Sequence, residues 1–221
     1  MAKTILFSEM TPAEEWERRF HDWYDTEHVP IRMKAPGFER ARRYREIGSG
    51  KFLAVYETED AEAFRTPEYR KIKEEPSDET KWMLANVSGF TRYTAEQIGE
   101  QIQTECDGNP YEAPILYSVM FEVPTGREEE FNRWYEEDHV PTLLKNPHWL
   151  ACRRYKVIGG EPENWTHLAL HYLSDVSALQ SEERAEARRS PWRARLAEEE
   201  WFKGKYMQFE RIRSFTATKE D

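Results

Sequence analysis

Histidine is the residue type in this chain best suited to exchanging protons near neutral pH, and there are six histidines. Two of them, His28 and His139, share one motif. The motif is Trp-Tyr-x-x-x-His-x-Pro, at residues 23–30 and 134–141. Each histidine follows a tyrosine by four residues, Tyr24 or Tyr135, so both side chains of a pair share a helix face. The motif indicates a proton donor or acceptor at a pocket, or a histidine that stabilises a helix C-terminus.

A third candidate, His171, has no histidine counterpart. It takes the place of Tyr56 on the third predicted strand of the other half of the chain. The two-residue period of a strand puts its side chain opposite Leu168 and Leu170. If these leucines pack under helices, His171 faces the interior of the barrel. A core histidine that bonds to a neighbouring hydroxyl is the alternative.

A second motif, Arg-Arg-Tyr, lies on a predicted strand in each half. Side chains alternate along a strand, so each pair sends one arginine to each face, and the sequence does not select the inward one. A guanidinium in a pocket would hold a carboxylate or phenolate, whereas an ion pair to nearby acidic residues is the alternative. The candidate substrate contacts are Arg42, Arg43, Arg153, Arg154, Tyr44, Tyr155, Tyr56, Tyr24 and Tyr135.

These motifs belong to an internal repeat. The histidine and arginine motifs recur at a spacing of 111 residues, and the segment Ile5–Ser8 matches Ile115–Ser118 at 110. The third strand recurs at 115, where Leu53–Tyr56 matches Leu168–His171. Ordered matches with a slowly drifting spacing indicate a tandem duplication. We expect a first repeat at residues 1–93, a polar linker at 94–113 and a second repeat at 114–221.

Each repeat predicts the element order βαββαβ, which is the ferredoxin-like unit. The last strand of the first repeat is expected at residues 89–93. The charged helix that contains residues 181–189 is expected to present a solvated face. A four-stranded sheet with helices on one face leaves its other face bare. The expected fold is therefore α+β, with two tandem ferredoxin-like units forming an intramolecular dimeric α+β barrel.

The histidine motif, followed by an aromatic residue and Ala/Cys-Arg-Arg-Tyr, resembles the EthD-like branch of the dimeric α+β barrel superfamily. The resemblance covers nearly the whole chain, twice. It implies a fold that serves muconolactone isomerase, polyketide cyclases, cofactor-free quinone-forming monooxygenases, haem-binding chlorite dismutases and dye-decolourising peroxidases, so it does not name a reaction. For EthD-like members it implies no known cofactor and gives acid–base work to His28 and His139.

The composition restricts the partners of this 221-residue chain. Its formal charge of −10 argues against a nucleic-acid groove. It has no apolar run of roughly 18 residues and no signal peptide, so we expect a cytoplasmic protein without a membrane partner. Neither a metal nor another cofactor is expected. The expected partner is a small molecule that is aromatic or carries an acidic oxygen, and exposed sheet edges would allow a homodimer of such chains.

The leading hypothesis from sequence is a cofactor-independent enzyme. His139 and His171, with His28 in the sister copy, would move protons, while an arginine of an Arg-Arg pair holds the anion. The reaction would be that of a lyase (dehydratase), an isomerase or a cyclase, because these need proton transfer in an enclosing apolar pocket. Two alternatives stay open. One is a monooxygenase or haem-binding oxidative enzyme of the same fold, and the other is a non-catalytic small-molecule-binding protein.

Overall fold

The computed structural model describes residues 2–217, and eight strands organise this part of the chain. They are β1 (Thr4–Met10), β2 (Phe38–Glu46), β3 (Phe52–Thr58), β4 (Arg92–Ile102), β5 (Ile115–Phe121), β6 (Trp149–Glu161), β7 (His167–Leu173) and β8 (Lys205–Thr216). In hydrogen-bonded order they run β1-β3-β2-β8-β5-β7-β6-β4 and close into a barrel. The expected α+β barrel is confirmed, and the tandem duplication stays a prediction.

The α-helices of the described residues are short and come in pairs, which follow β1, β3, β5 and β7. They are α1 (Glu17–Trp23), α2 (Val29–Met33), α3 (Pro67–Glu74), α4 (Asp78–Asn86), α5 (Glu128–Trp134), α6 (Val140–Leu143), α7 (Glu182–Arg189) and α8 (Pro191–Leu196). A π-helical turn joins α1 to α2 at Tyr24–His28, and another joins α5 to α6 at Tyr135–His139. Within residues 2–217, no helix is long and apolar enough to cross a membrane.

The described residues divide into two compact units, which we call unit 1 and unit 2. Unit 1 comprises residues 2–96, 158–162 and 212–217, and unit 2 comprises residues 97–157 and 163–211. In unit 1, β3 pairs with β1 and β2, and β1 also pairs with β4. In unit 2, β7 pairs with β5 and β6, and β5 also pairs with β8. Every one of these pairings is antiparallel.

Strand register shows which positions of the two units are equivalent. Leu6 pairs with Tyr56 in unit 1, and Tyr117 pairs with His171 in unit 2. Since Tyr56 and His171 occupy the same place on their strands, the equivalent of Leu6 is Tyr117. The sequence alignment at a spacing of 110 placed Leu116 there, so the true spacing is 111 and the alignment was one residue off. A one-residue shift moves a side chain to the other face of a sheet.

The last strand of unit 1 also differs from its prediction. It was expected at residues 89–93, but β4 is Arg92–Ile102, so residues 94–102 are strand rather than linker. Tyr93 and Ala95 are buried, and polar residues lie between and after them. A strand with one solvated face carries many polar residues, and this made the segment resemble a polar loop.

An aromatic layer lies between the helices and the sheet in each unit. In unit 1 it includes Phe20, Trp23, Tyr24, Phe38, Tyr56 and Tyr69. In unit 2 it includes Tyr117, Phe131, Trp134, Tyr135, Trp149 and Phe202. Each of these large aromatic side chains buries a substantial apolar area.

Candidate functional site

The π-helical turn of unit 2 positions its motif histidine. The N–H of Val140 bonds to the carbonyl of Tyr135, five residues back, and unit 1 has the same bond at the equivalent positions. Pro141 follows directly, and because proline lacks an N–H and clashes with the carbonyl four residues earlier, an α-helical ladder is disfavoured here. The wider turn places His139 against Trp134, with ring centroids 4.6 Å apart. The histidine therefore packs against the tryptophan five residues earlier, in addition to sharing a helix face with the tyrosine four residues earlier.

Unit 2 contains an aromatic cavity between β5 on one side and α7 and α8 on the other. Its walls include Tyr117, Trp134, Tyr135, Trp149, Phe202 and Tyr206, and His139 lies among them. The cavity encloses about 400 Å³ when its open mouth is counted.

Three arginines also line this cavity, which we call the arginine cavity: Arg184, Arg188 and Arg193. Arg184 donates to the carbonyl of Leu179 at 2.7 Å, and Arg193 donates to the carbonyl of Arg188 at 3.3 Å. Among the residues that the structure describes, none of the three makes an ion pair with a carboxylate. Guanidinium groups without a carboxylate partner, beside aromatic walls, have the chemistry that suits an organic anion.

These arginines are not predicted from the sequence pattern. Residues 181–189 are expected to present a solvated helix face, whereas Arg184 is half-buried in the cavity wall. The internal repeat does contain a signal for Arg184. Ser181 and Thr66 both cap their helices, and the third residue after them is Arg184 in α7 and the buried Tyr69 in α3. Extending the repeat at a spacing of 115 would have put an arginine at a core position.

His139 is the titratable group best placed to react in the cavity. Its Nδ1 is buried and has no hydrogen-bond partner among the described residues. Burial, followed by His171 and the nearby arginines Arg193 and Arg184, lowers the pKa of His139 well below its usual value. The imidazole is therefore neutral at pH 7; the surrounding arginines disfavour its protonation, and an anion bound to them would offset that effect.

His171 lies on the opposite face of β7 from the one predicted. It packs toward the helices, with its ring 6.2 Å from that of Tyr135, so the prediction that it faces the barrel interior is wrong. Its Nδ1 accepts a hydrogen bond from Trp149 Nε1 at 3.1 Å, and Cys152 Sγ lies 3.9 Å from Nε2. Burial lowers its pKa to about 3. His171 is thus a core histidine with an indole as its partner, and it holds the Trp149 wall of the cavity.

In unit 1 the equivalent histidine, His28, is surrounded by core. Its ring lies 4.1 Å from Trp23, and its Nδ1 has no hydrogen-bond partner in the described part of the chain. Burial, then Arg32 and Arg43, lowers its pKa well below the usual value. Tyr69 stacks on Phe38 at 5.2 Å and fills the place that Arg184 has in unit 2.

The tyrosine candidates of unit 1 are core side chains. The hydroxyl of Tyr24 donates to Met10 Sδ at 3.8 Å, and the hydroxyl of Tyr56 has no partner within residues 2–217. Burial raises the pKa of both phenols. In unit 2 burial also raises the pKa of Tyr135, which lines the arginine cavity.

The arginines of the Arg-Arg-Tyr motifs pair with carboxylates. The pairs are Arg42 with Glu57, Arg43 with Asp25, Arg153 with Glu100 at 2.6 Å, and Arg154 with Glu136 at 2.6 Å. This is the ion-pair alternative of the sequence analysis, and none of the four lines the arginine cavity. Tyr44 and Tyr155 are both buried. A role for these six residues in substrate binding stays a prediction.

A second, smaller cavity in unit 2 encloses about 210 Å³ and is lined by Arg154, Tyr155 and His167, among others. His167 Nδ1 lies 3.0 Å from Thr166 Oγ1, and burial lowers the pKa of His167 to about 4. The guanidinium in its wall, that of Arg154, already pairs with Glu136. The two cavities therefore differ in charge, and only the larger one presents unpaired arginines.

His171 does not fit the axial position of a haem. An axial ligand needs a ring nitrogen that is free and faces open space. His171 accepts from Trp149 through one nitrogen and faces Cys152 with the other. In residues 2–217, no group of three or more His, Cys, Asp or Glu side chains is arranged to hold a metal ion.

Comparison with known proteins supports the fold. The family described as a domain of unknown function (DUF4286) matches residues 114–213, and no curated protein matches the chain. An anthrone oxidase-like protein has a TM-score of 0.69 at 12% identity, over 98% of this chain and 93% of its own.

Two further solved structures are similar. A candidate monooxygenase from Fusobacterium nucleatum has a TM-score of 0.65 at 9% identity, over 97% of this chain and 94% of its own. A mutant chlorite dismutase from Candidatus Nitrospira defluvii, in complex with cyanide, has a TM-score of 0.61 at 5% identity, over 96% and 91%. These neighbours share the α+β barrel, and identities this low carry the fold alone.

Proposed function

We propose that unit 2 is the working half of a cofactor-independent enzyme that transfers protons on a small aromatic molecule with an acidic oxygen. The observation that carries this proposal is the arginine cavity. A neutral imidazole, His139, shares aromatic walls there with three guanidinium groups that have no carboxylate partner. This combination supports a base that acts on a bound anion.

The proposed mechanism follows from these groups. The aromatic walls hold a ring, and an arginine holds the acidic oxygen. His139 takes a proton from an activated C–H bond, and the electron pair of that bond moves into the enolate or phenolate oxygen. The imidazolium then returns the proton to another atom of the substrate. Isomerisation, dehydration and cyclisation all fit this sequence, because none of them requires an electron acceptor.

Oxygenation is the second candidate, and the neighbours described as anthrone oxidase-like and monooxygenase favour it. It would begin with the same proton transfer to His139. The carbanion would then be oxidised by dioxygen, with one oxygen atom entering the product and the other leaving as water. The two candidates therefore share a base and differ in whether dioxygen is consumed.

Deuterium exchange tests the shared step. Anthrone and phenylpyruvate both have an acidic C–H bond, whose loss in D₂O is followed by proton NMR. We expect the protein to accelerate exchange in at least one of them, and His139→Ala to lower that rate by about 10²–10⁴-fold. His28→Ala, the matched change in unit 1, should leave it unaltered.

Exchange by His139→Ala at the wild-type rate would contradict the assignment of the base. Binding of either compound with no exchange would instead favour a non-catalytic binding protein. An oxygen electrode then separates the two reactions, since oxygen uptake with anthrone supports oxygenation and exchange without uptake supports an isomerase, dehydratase or cyclase.

A further inference from the structure

The indole N–H of the motif tryptophan has a different hydrogen-bonding environment in the two units. In unit 1, Trp23 Nε1 donates to Thr80 Oγ1 at 3.0 Å. Thr80 is the third residue after Ser77, which caps α4 by accepting from the N–H of Thr80. The hydroxyl of Ser77 donates to Glu27 at 2.5 Å, so the cap is tied to the turn that carries the histidine. Trp23 thus has a complete hydrogen-bond environment.

Unit 2 has the same framework with one change. Ser190 caps α8 and accepts from the N–H of Arg193 at 3.1 Å, and its hydroxyl donates to Asp138 at 2.6 Å. Arg193 therefore occupies the position of Thr80, and a guanidinium group has no acceptor to offer. Trp134 is only 2% exposed, and its Nε1 has no partner among the described residues. The substitution has removed the acceptor of a buried donor.

Buried N–H groups without a partner are rare, because burying one costs the hydrogen bond that it made to water. Trp134 and Arg193 both line the arginine cavity. Each is a donor, and Arg193 has no carboxylate partner in residues 2–217. Trp134 Nε1 has no acceptor in the described residues, and Arg193 has only the backbone carbonyl of Arg188, so a ligand oxygen in this cavity could accept from both.

We propose that Trp134 Nε1 and Arg193 form an oxyanion subsite that binds the carboxylate of an aromatic carboxylic acid. One carboxylate oxygen takes the place that the Thr80 hydroxyl has in unit 1, and the guanidinium of Arg193 binds the other. Arg184 and Arg188 add positive charge to the same cavity, so a second carboxylate on the ring strengthens binding. The inference rests on the proposed function for its choice of cavity, but it concerns binding and needs no turnover.

The indole signals of the ¹⁵N-labelled protein report this contact directly. The Trp134 signal is assigned by its loss in Trp134→Phe, and benzoate, phthalate or neutral benzamide is then added. We expect benzoate and phthalate to shift the Trp134 signal while the Trp23 signal stays in place. Phthalate should bind more tightly than benzoate, and benzamide should bind at least about tenfold more weakly.

Arg193→Thr rebuilds the arrangement of unit 1 and is the decisive variant. It should weaken benzoate binding at least about tenfold, because it replaces a charged donor with a hydroxyl that pairs with Trp134. Arg195→Thr is the matched control, since Arg195 is exposed on the same helix and does not line the cavity. Benzoate binding to the wild-type protein is measured without turnover, so a failure of the proposed catalysis is distinguishable from a failure of this subsite.

The inference is overturned if benzoate and phthalate leave the Trp134 signal unmoved at millimolar concentration. It is also overturned if Arg193→Thr binds benzoate as the wild type does. Should Arg193→Thr not fold, Trp134→Phe provides the second measurement by calorimetry. That variant keeps a smaller aromatic ring in the wall and loses the donor, and we expect its benzoate affinity to fall several-fold.

Discussion

The two units share a framework but differ in what fills it. In each, a serine caps a short helix and bonds to the acidic residue before the motif histidine, Glu27 or Asp138. In unit 1, Tyr69 and Thr80 then complete a packed core in which the indole N–H of Trp23 has its acceptor. In unit 2, arginines stand at both of these positions and line an open cavity. Replacing a few inward positions of one helix pair therefore turns a core into a candidate binding site.

A second difference lies on the strands beneath the helices. The ring of Phe38 meets that of Tyr56 at 6.2 Å in unit 1, whereas Trp149 bonds to His171 in unit 2. The aromatic pair of unit 1 needs no hydrogen bond to pack. The pair of unit 2 fixes the orientation of an indole that forms part of the cavity wall. His171 therefore contributes by positioning Trp149 and does not need to react.

Acid should destabilise the protein mainly through the histidines of unit 2. Burial lowers the pKa of His167 to about 4 and that of His171 to about 3. The unfolded chain binds their protons near pH 6.5, so stability is intact above this pH and falls as the pH drops toward the folded-state values. Between pH 7 and pH 5 each histidine should cost about 2 kcal/mol of unfolding free energy, as measured by urea denaturation.

Variants at one strand position test the origin of this pH dependence. Between pH 7 and pH 5, the unfolding free energy of His171→Phe should fall by about 2 kcal/mol less than that of the wild type. Tyr56→Phe, at the matching position in unit 1, should keep the full dependence. An unchanged pH dependence in His171→Phe would contradict the assignment.

The same two variants should differ in stability at pH 7. His171→Phe leaves the indole N–H of Trp149 buried without its acceptor, so we expect a loss of about 1–3 kcal/mol. Tyr56→Phe removes a hydroxyl that has no partner among residues 2–217, and we expect no loss or a small gain. Equal losses at the two positions would show that side-chain size, rather than the hydrogen bond, decides stability there.

Much of the fold could be predicted because repetition and periodicity are visible in the sequence. The order βαββαβ follows from spaced apolar segments, and the shared motif locates His28 and His139. The direction of His171 could not be predicted, since every side chain of β7 is buried and both faces of the strand are apolar. Alternation then separates two faces without showing which one meets the helices.

The cavity could not be predicted from the sequence for a different reason. A helix rich in Glu and Arg resembles a solvated surface, yet long arginine stems lie readily against aromatic walls. Whether Arg184 or Arg193 meets a carboxylate depends on helices that are distant in the chain. The motif arginines, in contrast, form ion pairs with carboxylates, as the many acidic residues of the chain favour.

A crystal structure of the protein with phthalate tests the central claim, that unit 2 carries the working cavity, most directly. The account predicts phthalate between the aromatic walls of the arginine cavity. One carboxylate should lie within hydrogen-bond distance of Trp134 Nε1 and Arg193, with His139 beside the ring. Phthalate in unit 1 or in the smaller cavity of unit 2, with the arginine cavity empty, would contradict it.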